Sequence, residues 1–63
     1  MAEAPLIEVD READGRWIAE VPALPGVLAY GHSETEARAN AQALALLVIA
    51  DRVEHHEPVP GDA

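Results

Sequence analysis

From Ser33 to Glu57 the sequence, "SETEARANAQALALLVIADRVEHHE", contains neither proline nor glycine, and this one stretch fills more than a third of the 63 residues. It is rich in alanine and leucine, both strong helix formers, so a helix is predicted from about Glu34 to near His55. Its start is marked twice. Ser33 followed three residues later by Glu36 forms a capping-box pattern, in which the serine oxygen accepts from a free helix N–H and the glutamate reaches back to the cap. Glu34 and Glu36 also place negative charge where the helix dipole favours it. One long helix in so short a chain leaves room for only one other layer.

The preceding residues read as that layer. In "LIEVDREADGRWIAEV", Ile7 and Val9 alternate with charged residues, and Asp14-Gly15 can take the positive φ angles of a tight hairpin. Trp17, Ala19 and Val21 then point to one face, and Arg16, Ile18 and Glu20 to the other. Pro22, Pro25 and Gly26 in "VPALPG" force a turn, because proline brings no N–H to a ladder. "VLAYG" fits a third strand ended by Gly31. The expected fold is α+β, a three-stranded antiparallel sheet packed against one long helix in the order β-β-β-α. It forms a single domain over 1–63. The tail, 58–63, is either loose or a short fourth strand around Val59.

Ala37, Ala41, Leu44 and Val48 form a helical stripe suited to the sheet, but "ALALLVIA", residues 43–50, is apolar around its whole circumference. A chain of this size buries only about 60% of its unfolded surface. Domains below about 70 residues usually need a disulfide, a metal or a partner subunit, and this one has no cysteine. Leu46, Leu47, Ile49, Ala50 and Val53 are therefore expected to form a self-association surface, giving a dimer or tetramer.

Four arginines and no lysine face twelve carboxylates, for a formal net charge of −8. Nucleic-acid affinity depends on clustered cations that release counterions, so direct nucleic-acid binding is not expected. A basic protein partner suits such a surface better. Glu8, Asp10, Glu12, Asp14 and Glu20 on the hairpin are the expected steering charges, with Tyr30 as an anchoring side chain. No signal-peptide pattern and no membrane-length apolar run is present, so a cytoplasmic location away from membranes is expected.

Catalytic readings are weaker. His32, His55 and His56 are badly spaced for a metal, and Ser33 is explained by capping, without a base beside it. Glu8, Asp10, Glu20 and Asp51 are the carboxylates that could serve two-metal chemistry, yet the acids are spread along the chain. No enzymatic activity and no cofactor are expected.

Asp14-Gly15, Val21-Pro22-Ala23-Leu24-Pro25-Gly26, Gly31-His32-Ser33, Glu36-Ala37 and Asn40-Ala41 recur at offsets that cover nearly the whole chain. In this order the sequence resembles the HicB-like antitoxin family, with His32 where an Asp is usual. The resemblance implies a β-β-β-α fold similar to a truncated ribonuclease H core, in a degenerate, non-catalytic form. It further implies an oligomeric antitoxin of a type II toxin-antitoxin system, one that binds and neutralises a small basic, mRNA-cleaving HicA-like toxin. Fuller members carry a DNA-binding module, which these 63 residues lack. The alternative expectation is a stand-alone oligomeric HicB-like protein without a toxin, binding a small ligand or another protein.

Overall fold

A computed structural model describes residues 6–56. Strands β1 (Glu8–Arg11), β2 (Trp17–Glu20) and β3 (Leu28–Gly31) are followed by helix α1 (Glu34–Glu54). The strands form one antiparallel sheet in the order β1-β2-β3, and α1 packs against one face of it. This is the α+β arrangement expected from the sequence. The suggested strand around Val59 lies outside the described residues.

Register divides the sheet cleanly. Val9, Ala19 and Ala29 form one cross-strand row, and Asp10, Ile18 and Tyr30 the next. Because side chains alternate between faces, the first row meets the helix and the second faces away. Ala19 is fully buried, and Val9 and Ala29 pack around it.

The β1–β2 connection is longer than the tight two-residue turn that Asp14-Gly15 suggests. Glu12 N donates to Arg16 O at 2.7 Å, and Gly15 N donates to Glu12 O at 3.0 Å. Three residues thus lie between the last paired positions, with Gly15 alone at positive φ, +92°. This is the three-residue hairpin in which a type I turn is followed by a left-handed glycine. Asp14 keeps negative φ, and its carboxylate is used in the turn.

"VPALPG" makes two successive turns. Leu24 N donates to Val21 O, and Val27 N to Leu24 O, both at 2.9 Å. Each proline follows the residue that opens its turn, the position for which its fixed φ is already suited, and Gly26 takes the positive φ that the second turn requires. Both prolines are exposed. Leu24, held between them, is fully buried alongside Val21. The double turn therefore works as a plug that inserts one leucine into the end of the core.

The helix meets the sheet at Gly31. A Cβ there would lie 2.9 Å from both Ala37 Cα and Glu36 C, and closer still to Ala37 N. Those are helix backbone atoms, which cannot move aside singly. So close an approach admits only small side chains between the layers, and Ala37, Ala41 and Ala45 are the buried residues of α1. The expected stripe is shifted accordingly. Ala45 takes its centre, while Leu44 and Val48 pack half-buried beside it. Ile49, assigned from sequence to the self-association surface, also packs half-buried against the core, because it lies one turn beyond Ala45.

Two side chains fasten α1 across the sheet. Asn40 Nδ2 donates to Tyr30 O at 2.9 Å, and Arg38 reaches Ile7 O at 3.4 Å. At the N-terminus Ser33 Oγ accepts from Glu36 N at 3.1 Å. Glu36 reaches past the cap to accept from His32 N at 2.9 Å. The capping box thus closes one residue earlier than the standard pairing. At the other end His55 caps α1, and His56 turns the chain at φ +58°, the left-handed conformation in which helices commonly stop.

Gly31→Ala is expected to force α1 off β3 and to destabilise the protein by about 2 kcal/mol or more. In a domain of this size that lowers the melting temperature by roughly 10 °C. Thermal unfolding followed by circular dichroism measures it, and an unchanged melting temperature would show that the two backbones are not in contact.

Candidate partner-binding surfaces

Two exposed surfaces lie on opposite sides of this two-layer structure. The first is the sheet face turned away from α1. Glu8 pairs with Glu20, and Glu20 with Leu28, while Asp10, Ile18 and Tyr30 form the adjoining row. Four of the six acid and tyrosine positions expected to bind a partner, Glu8, Asp10, Glu20 and Tyr30, therefore share one face. Asp14 lies at the hairpin tip. Glu12 sits in the connection and is partly buried, which makes it a poorer charge for steering.

Glu8 and Glu20 carry the electrostatic feature of this face. The Glu12–Arg16 bond sets the alternation of the β1–β2 ladder, so Glu8 and Glu20 form a directly opposed, hydrogen-bonded pair. Two like charges placed so are destabilising by a few tenths of a kcal/mol to about 1 kcal/mol. Both residues are exposed, and no arginine forms an ion pair with either among the described residues.

Arg16 and Ile18 lie on this face, as the alternation along β2 predicts, but the sequence did not single them out as partner-binding residues. The Arg16 guanidinium lies 4.5 Å from the centroid of the Tyr30 ring. Its Nε also meets Asp14 Oδ2 at 2.8 Å. Tyr30 is thus a ring already covered on one side by a cation, rather than a free anchor. Leu28 and Tyr30 remain 38% and 40% exposed, so the β3 side of the face is apolar and the β1 side acidic. The alternation of Arg16, Ile18 and Glu20 was legible in sequence, but the Arg16–Tyr30 contact needs the β2–β3 register.

Asp14 is held ionised by its turn. The backbone N–H of Arg16 and, further, its guanidinium lower the Asp14 pKa from the ordinary 3.8. The N–H donates to Oδ1 at 3.0 Å.

The second surface is the outer side of α1. Leu46, Leu47 and Val53 are 57%, 70% and 58% exposed, and Ala50 is exposed beside them. Of the residues assigned there from sequence, Ile49 alone turns inward. The remaining candidates do not converge. Asp51, on the helix, is on the opposite layer from Glu8, Asp10 and Glu20, and it contacts His55 at 3.4 Å. Among the described residues no cluster of three or more His, Asp or Glu side chains could hold a metal, and no helix is long and apolar enough to cross a membrane. Set against protein-family models, curated proteins and solved structures, the chain finds no match.

Because a depressed carboxyl pKa contributes stability that is present above the unfolded value and lost as pH falls, the Asp14 turn should loosen only in acid, below 3.8. A carbon-detected NMR titration of Asp14 is expected to give a midpoint below that value. Arg16→Ala should restore only part of the shift, since the substituted residue keeps the N–H. A full return to the ordinary value would contradict the turn geometry.

Proposed function

We propose that the chain is a non-enzymatic interaction module of the HicB-like antitoxin type, acting in the cytoplasm, whose outer sheet face covers a small basic protein. The observation that supports this most is the opposed pair Glu8 and Glu20. The free protein bears a repulsion that a cationic side chain inserted between the two carboxylates would relieve. The partner thus gains twice, by attraction to the acids and by removal of the repulsion.

The neighbouring residues suit the same task. Asp10 extends the acidic edge, and Ile18, Leu28 and Tyr30 supply apolar area next to it. Charge on one edge sets the encounter rate and orientation, and apolar contact on the other sets residence time. A basic RNA-binding surface docked here would be sterically closed to RNA. That makes a small mRNA-cleaving toxin the partner of choice, neutralised by occlusion without any chemistry on the part of this chain.

A variant separates binding from folding. Glu20→Lys turns the opposed like charges into an ion pair, so it is expected to raise the melting temperature slightly while weakening capture of the basic partner by about tenfold or more. Co-expression with candidate small basic RNA-binding proteins, followed by pull-down with both forms, reads this directly. Retention by wild type and loss by Glu20→Lys supports the reading. Capture of no basic protein, or equal capture by both forms, overturns it, and capture of none would favour a stand-alone oligomer.

A further inference from the structure

The solvent side of α1 carries a second pattern, independent of the sheet face. Ala39, Ala43, Leu46, Ala50 and Val53 are all exposed, and they are spaced alternately by four and three residues. On a helix this spacing draws one straight seam, and it lies opposite the buried stripe Ala37, Ala41 and Ala45. A seam of this period matches another helix, since only a helix presents holes at the same interval.

The order of residues in the seam identifies the second helix. If two copies of α1 lie antiparallel with their midpoint at Val48, Ala43 faces Val53 of the other copy, and Leu46 faces its Ala50. The two-fold axis repeats both layers. Every aliphatic side chain then meets an alanine, the large-against-small alternation that fills a helix interface without voids or overlap. A two-fold contact requires the same patch to be complementary to itself, and this patch is. The flanks agree as well. Leu47 lies beside the axis on one side and the half-buried Ile49 on the other, while Glu54 is level with Gln42 of the other copy and Asn40 with its His56, so no like charges meet. In a chain of net charge −8 the seam itself is uncharged, which lets two acidic copies approach along it. Antiparallel dipoles favour the same orientation.

We infer that the exposed seam of α1 is a homodimer interface, in which two copies pair antiparallel and Leu46 and Val53 of each insert against Ala50 and Ala43 of the other. The contact is short. Its few seam residues on each side are far fewer than the roughly 20–30 of a standard interface, so the dimer is expected to be weak, and it leaves both outer sheet faces open.

The absence of cysteine from the sequence makes cross-linking unambiguous. In the antiparallel pair, residues 43 and 53 of opposite copies are adjacent. Two copies of residue 43 are about 15 Å apart along the axis, beyond the reach of a disulfide. Oxidation of the Ala43→Cys, Val53→Cys double variant should give a covalent dimer, and either single variant should not. Sedimentation velocity should show a concentration-dependent dimer that Leu46→Glu, at an exposed position with unchanged circular dichroism, weakens by about tenfold or more. Wild type that stays monomeric on concentration, a dimer indifferent to Leu46→Glu, or cross-linking of Ala43→Cys alone would each overturn the inference. Because Glu20→Lys leaves this seam untouched, loss of the basic partner and loss of the dimer are separate outcomes.

Discussion

A missing side chain organises this protein. Gly31 lets the backbone of β3 touch the first turns of α1, and the rest of the layer spacing follows from that contact. Two layers this close leave space for alanine and little more, and four of the seven buried core residues are alanines. The larger aliphatics of the helix are displaced to its rim, as Leu44, Val48 and Ile49, or to its far side, as Leu46, Leu47 and Val53. Alanines bury little area each, so a core built this way is thin. The same contact that fixes the fold thus produces an uncovered apolar surface.

Compensation comes from the turns. The double turn at 21–27 seats Leu24, one of the two largest fully buried side chains, at the end of the core. Asn40 and Arg38 tie the helix to the backbone of β3 and to the approach to β1, supplying polar restraints where hydrophobic area is scarce. Trp17 lies beside Gly31 in the β2–β3 register and under the Arg11 guanidinium, 5.8 Å from its ring centroid. The one large aromatic of the inner face is therefore placed next to the position that has no side chain.

Much of this was legible in the sequence because its signals are local. The Ser33 cap, the alternation of β1 and β2, the prolines at 22 and 25 and the end of β3 at Gly31 are each set by neighbouring residues, and the structure has them. What escaped depends on residues distant in sequence. That Ala45 and not Leu44 centres the buried stripe, and that Ile49 turns inward, follow from how closely the helix sits on Gly31, which periodicity does not report. The three-residue hairpin at Asp14-Gly15 pairs Glu12, not Ala13, with Arg16 and leaves Gly15 alone at positive φ, a choice between two loop lengths that the Asp-Gly dipeptide does not decide. The Arg16–Tyr30 stack and the Glu8–Glu20 opposition require register.

The molecule thus offers two unlike surfaces, a charged sheet face and an uncharged helix seam, separated by the thin alanine layer. Both follow from one placement of α1. The measurement that tests this placement most directly is a nuclear Overhauser spectrum of the protein in solution. The account requires strong cross-peaks between the Gly31 α protons and the Ala37 amide, together with contacts from the Ala41 and Ala45 methyl groups to Ala19. Absence of the Gly31–Ala37 peaks, with Leu46 or Leu47 methyl groups found against Ala19 instead, would mean that the helix is rotated and that the account is wrong.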